Sequence, residues 1–124
     1  MSTLNVSNIT DGTTTVGTSY VVNGAAKSWI NMFGDDASAR DSLNVSSTTD
    51  DATGQKSVTV TSAFGNANYA TAVSVGETTS SPGNRAGSST PNSATNFKFF
   101  CSSTNTGAYK DEDFMTAASF GDLA

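Results

Sequence analysis

Apolar residues recur at every second position in short runs, with long polar stretches between them. This is the period of strands buried on one face. The clearest element is a hairpin across Leu43 to Ser62. Leu43 and Val45 are expected on one face of its first strand, Asp50 to Gly54 make the turn, and Val58 and Val60 share a face of the return strand. Upstream, Tyr20-Val21-Val22 runs into Asn23-Gly24 and then a second strand-like run, Ala25 to Phe33, a further hairpin signal. In that run Ser28, Ile30 and Met32 fall on one face and Lys27, Trp29 and Asn31 on the other, with the interior side left open. Asp35 to Asn44 reads as a loop leading into a strand, although its two aspartates also suit the cap of a short helical turn.

Further strands are expected at Ala70 to Val75, Thr95 to Cys101 and Phe114 to Phe120. In the last, Phe114, Thr116, Ala118 and Phe120 lie on one side. Glu77 to Asn96, with both prolines (Pro82 and Pro91), and Ser102 to Asp113 read as loops. The pattern predicts an all-β fold without helices: one small antiparallel β-sandwich or barrel-like domain of about seven strands over residues 24–124. Residues 1–23, sparse in apolar side chains (Leu4, Val6, Ile9), read as an extended N-terminal arm.

Composition sharpens this picture. Leu, Ile, Val and Phe total 21 of 124 residues, thin for a core, while Ser and Thr number 19 each and Asn and Gly 11 each. A net charge of −5 is too small for the self-repulsion typical of disordered chains. Burial between identical subunits is the expected remedy for so little core. The six basic residues are scattered through an acidic chain, so no nucleic-acid partner is expected. No apolar run approaches membrane-spanning length, and the first twenty residues lack the basic start and apolar stretch of a secretion signal.

The chemistry is bounded too. Histidine is absent, which removes the commonest general base and metal ligand. Cys101, the sole cysteine, follows Phe97, Phe99 and Phe100 and reads as a small buried apolar residue; no internal disulfide can form. Carboxylates cluster at Asp35-Asp36, Asp50-Asp51 and Asp111-Glu112-Asp113; a glycosidase pair or a calcium cage would need such acids, but ordinary solvated loop acids are the expected reading. Sequons at Asn5, Asn8 and Asn44 are expected by chance in such a composition. Trp29, Tyr20, Tyr69 and Tyr109 offer a sugar-stacking platform, which packing explains at least as well. Catalytic, cofactor-binding and metal-ligating residues are therefore all expected to be absent, and the protein is not expected to be an enzyme.

Several separated pieces then carry a resemblance. Gly24-Ala25-Ala26-Lys27-Ser28-Trp29-Ile30-Asn31, Arg40 to Ser47, the Asp50 to Gly54 turn, Val58-Thr59-Val60 and Asn66-Ala67-Asn68-Tyr69-Ala70 occur in this order. Together they resemble a segment of bacteriophage tail-fibre and virion surface proteins, particularly those of marine phages. The family's first piece looks like Lys-Ala-Trp-Val-Asn-Phe, from which Ser28, Ile30 and Met32 depart, and Phe120-Gly121-Asp122 is similar to its last strand. The resemblance implies a β-rich, usually trimeric domain displayed on a phage particle, and no catalytic residues. In fibres the segment ends a longer chain, whereas here only a polar arm precedes it. The expected role is thus a homotrimeric capsid decoration (cement) or short head-spike protein. It would contact the major capsid protein or other virion proteins, and be assembled in the host cytoplasm onto the virion surface. A short tail fibre or fibre tip that binds a host surface glycan is the alternative.

Overall fold

A computed structural model describes residues 2–77 and 84–124. It places ten strands and one short helix in the order β1 (Asn8–Thr10), β2 (Thr15–Gly17), α1 (Thr18–Gly24), β3 (Ser28–Met32), β4 (Ala39–Leu43), β5 (Val45–Ala52), β6 (Gln55–Val60), β7 (Ala70–Gly76), β8 (Arg85–Ser93), β9 (Asn96–Ser103) and β10 (Phe114–Phe120). The protein is all-β. Two four-stranded antiparallel sheets, β4-β3-β10-β7 and β5-β6-β9-β8, pack over one core, and β1 and β2 form a separate two-stranded hairpin. Eight sandwich strands, rather than about seven, result.

Alternation decides what enters the core. From the first sheet Ile30, Met32, Met115 and Ala117 point inward; from the second come Val58, Val60, Phe97, Phe99 and Cys101. Val73 and Val75 are half-buried against them, on one face as expected. One end is closed by Phe64 stacked on Tyr69 at 4.0 Å between ring centroids, with Tyr69 edge-on to Phe97. The Tyr69 hydroxyl donates toward the carbonyls of Ser93 and Asn96, so this buried ring leaves no orphaned polar atom.

Four expectations are corrected. Tyr20-Val21-Val22 lies in α1, not in a strand, and none of the helix is buried. Its supposed partner is taken: β3 is hydrogen-bonded to β4 on one side and β10 on the other, so no edge remains for a third strand. The arm is accordingly not simply extended. Asp11 accepts hydrogen bonds from the Thr13 and Thr14 amides in the β1–β2 turn, and the Thr18 hydroxyl ties α1 back to the Val6 and Ser7 carbonyls.

Leu43 and Val45 do not share a face. Asn44 sits between them at φ 56°, and in that single residue the chain leaves one sheet for the other. Leu43 is left on the outside while Val45 pairs with Val60 and packs on the core. The Asn44 side chain holds the corner: its amide donates to the carbonyls of Lys27 and Ser62, and its oxygen accepts from the Ser62 amide. Asparagine suits the left-handed region better than most non-glycine residues do.

Much of the expected loop Glu77 to Asn96 is strand β8; residues 78–83, with Pro82, lie outside the described residues. β8 is an edge strand, so Pro91 costs no ladder bond in the sheet interior and falls beside a register shift. A Cβ on Gly87 would stand 3.2 Å from a Val73 methyl, and the Ser89 hydroxyl donates to the Thr71 carbonyl. Small residues thus let the β8 edge close against β7. Asp35 to Asn44 is, as expected, a turn leading into a strand: Asp36 accepts from the Ser38 amide, and β4 follows.

Replacing Asn44 by alanine removes three hydrogen bonds and keeps an unfavourable φ. Asn44→Ala is expected to cost about 2–3 kcal/mol in urea unfolding, with secondary structure unchanged by circular dichroism.

Candidate functional site

Polar side chains concentrate where β5 turns into β6 and β9 leaves for β10. Lys56 is fully buried and donates to Asp50 at 2.7 Å and Asp111 at 2.9 Å, while Asp111 also accepts from the Gly54 amide. Glu112, almost fully buried, is held by Arg85, which also reaches Glu77 at 3.3 Å. Asp51 accepts from Ser57 and pairs with Lys98 at 2.9 Å. Burial pulls the Lys56 ammonium toward neutrality, but the hydrogen bonds to Asp50 and Asp111 outweigh it, and its pKa lies above the ordinary 10.5. The Ser57 hydroxyl, then Lys98, hold Asp51 below the usual carboxylate value.

These contacts show what the carboxylate clusters do. Asp50, Asp51, Asp111 and Glu112 neutralise Lys56, Lys98 and Arg85, and Asp36 caps a turn. Among the described residues, no group of three or more candidate donors is placed to hold a metal ion. Burial, reinforced by the Glu112 carboxylate, pushes the Cys101 thiol up to about 11, the chemistry of an inert core residue. Of the sequons, Asn44 has its amide committed to the sheet corner. Sequence reasoning missed Lys56; the signal that marks it as inward is its continuation of the alternation of Val58 and Val60.

Three surfaces among the described residues bear on binding. The first is the arm, where Leu4, Val6, Ile9, Val16, Tyr20, Val21 and Val22 are all exposed. Leu4, Val6, Ile9, Val21 and Val22 line one shallow concavity of the arm itself. Asp11 is the only charged side chain before Lys27. Val16, Val21 and Val22 had not been assigned to this surface by sequence; reading Tyr20 to Val22 as a paired strand concealed them.

The second is the outer face of β4-β3-β10-β7, where Trp29 stands half-buried, outside the core, beside Ala72 and Ala118. Phe114 and Phe120 lie on this outer side as well, while Met115, Ala117 and Ser119 point in. The third is the loop end, where Tyr109 is exposed with its ring 6.0 Å from that of Phe100. The four aromatics considered as a sugar platform are not brought together: Tyr69 is in the core, Tyr20 on the arm, Trp29 on a sheet face and Tyr109 in a loop. No helix among the described residues is long and apolar enough to cross a membrane.

No family model matches the chain, and no curated protein or solved structure matches it either.

The shifted groups set the pH dependence of stability. Lys56 has a raised folded-state pKa, so its contribution is complete below pH 10.5 and lost as pH rises through the folded value. Asp51 is depressed, so its contribution is complete above its ordinary 3.8 and lost as pH falls through the folded value. Urea midpoints followed across pH should decline at both extremes. Lys56→Met is expected to cost about 1–3 kcal/mol at neutral pH and to weaken the alkaline decline, and Asp51→Asn to flatten the acid one.

Proposed function

We propose that this chain is a structural protein of a bacteriophage virion, a homotrimeric capsid decoration or short head-spike protein displayed on the particle surface. The observation that carries this reading is the arm. It is locally ordered by its own hairpin and helix, yet none of its described apolar side chains is buried, and Leu4, Tyr20 and Val22 keep most of their surface exposed. A segment of this kind gains stability when another protein covers it, and its exposed strands offer backbone groups to a neighbouring sheet edge. The near absence of charge in the arm suits burial against a capsid protein. The sandwich supports display: the arm joins it beside Lys27 and Ser119, while the 53–54 turn between β5 and β6 and the 104–113 loop lie at the opposite ends of the strands. With the arm seated, those loops would face outward.

One observation favours a second reading, a short tail fibre or fibre tip that binds a host surface glycan. Exposed Tyr109 next to Phe100 at the loop end provides an aromatic surface on which a sugar ring could stack.

Removing residues 2–24 separates the two. The truncated sandwich is expected to remain folded, because α1 has no buried residue and neither strand of the hairpin does. On the decoration reading it no longer co-sediments with phage heads lacking this protein, whereas the full chain does. Undiminished head binding by the truncated protein would refute attachment through the arm. Host-cell binding that survives truncation and is lost in Tyr109→Ala would support the glycan reading instead.

A further inference from the structure

Lys56 is the only basic residue among those described that is shut fully away from solvent, and the groups around its Nζ form more than an ion pair. Nζ lies 2.9 Å from Asp111 Oδ1, and that same oxygen accepts from the Gly54 amide at 2.7 Å. Asp50, the cross-strand partner of Lys56, approaches Nζ at 2.7 Å. The backbone around Asp111 is fixed as well: the Lys110 amide donates to the Cys101 carbonyl, and the Cys101 amide to the Gly54 carbonyl. A primary amine, a carboxyl group polarised by a backbone N–H and a second carboxylate therefore meet at one point.

We propose that Lys56 and Asp111 close into an intramolecular isopeptide bond, with Asp50 as the proton acceptor. The inference is independent of the virion reading. Asp50 takes a proton from the Lys56 ammonium, and the freed lone pair on Nζ attacks Cγ of Asp111. The Gly54 amide holds the negative charge that gathers on Oδ1 as the tetrahedral adduct forms. In all, Nζ gives up two of its three protons, and Asp50 carries both in turn to Oδ2 of Asp111. The Cγ–Oδ2 bond breaks and that oxygen leaves as water. An Nζ–Cγ amide remains, Asp50 is again a carboxylate, net charge is unchanged and nothing is oxidised or reduced. Two features favour closure. The reacting groups are already held in contact by the fold, which removes the entropic cost of bringing them together. Closure also replaces a buried charge, with its lasting desolvation cost, by a neutral amide. The ammonium predominates in the newly folded chain, so the ion pair forms first and closure is slow. The bond straps β6 to the segment entering β10 and encloses β7, β8 and β9 in a covalent loop. Like a disulfide, it constrains the unfolded chain of a protein whose core is thin.

Intact-mass spectrometry of the purified full chain, followed over days at neutral pH, tests this. The mass is expected to fall by that of one water. Protease digestion should then release a branched peptide joining the segments that carry Lys56 and Asp111, and the closed form should unfold at a higher urea concentration than the open one. Lys56→Arg and Asp111→Ala are expected to keep the full mass throughout. Asp50→Asn preserves the size of the side chain but cannot take up the proton, and closure there should slow by about a hundredfold or more. A wild-type mass that never falls overturns the proposal, and that measurement requires no variant to fold. A water loss that maps to a succinimide at Asp11-Gly12 overturns it equally. Closure at an undiminished rate in Asp50→Asn would overturn the role given to Asp50.

Discussion

Phe97 and Phe99 from one sheet meet Ile30, Met32 and Met115 from the other, and this single layer of side chains holds the two sheets face to face. With so few large apolar residues, the chain can line one interior and no more. The central strands β3, β6, β9 and β10 therefore give alternate positions to that layer and leave the rest for surfaces. The inward rows are not wholly apolar: Ser28 and Ser119 are fully buried, and Lys56 lies inward with its charge answered by two aspartates. An unpaired buried ammonium would be prohibitive, so the Asp111 loop must be in place for β6 to be fully buried. The polar network is thereby tied to packing. Gly54, at φ 64°, allows it, because a Cβ there would collide with the Cys101 carbonyl and the Lys110 amide.

How much of this was legible depended on whether an element is defined by its own alternation or by its neighbours. β6, β9 and β10 carry alternating apolar residues, and a recognisable turn joins β5 to β6, so these elements were readable. β8 was not, since Gly87, Ser88, Ser89 and Thr90 have no apolar face; the strand exists because β9 offers an edge and β7 tolerates only small residues against it. At Tyr20 to Val22 the error ran the other way. β-branched residues favour strands only where an edge is open, and β3 has both edges occupied. Asn44 shows a third limit. Leu43 and Val45 have the spacing of one strand, but a single left-handed residue between them inverts which side is interior.

The binding surfaces were less legible than the fold, for a related reason. Trp29 and Ile30 were readable as opposite faces of one strand, but alternation cannot say which of two faces is interior. That is settled by Ile30 and Met32 meeting the other sheet. The apolar character of the outer face is also a property of rows, not of any one strand. Trp29, Ala118 and Ala72 are far apart in sequence and become neighbours only when β10, the last strand of the chain, enters between β3 and β7.

That insertion also orders the molecule along its length. β10 runs antiparallel to both neighbours and ends at Phe120, next to Ala70 and close to where the arm joins at Lys27. Its other end abuts the 104–113 loop, where Lys56, Arg85, Asp111 and Glu112 gather. Charge is thus concentrated at the end remote from the arm, while the arm and the Trp29 face are almost free of it. An acidic chain arranged in this way can bury its neutral end and one neutral flank without desolvating its ion pairs. The solvated remainder keeps the carboxylates that discourage indiscriminate association. Segregation of this kind is costly for a freely soluble monomer, which must expose the apolar residues of arm and face to water, and it ceases to be costly once both are covered.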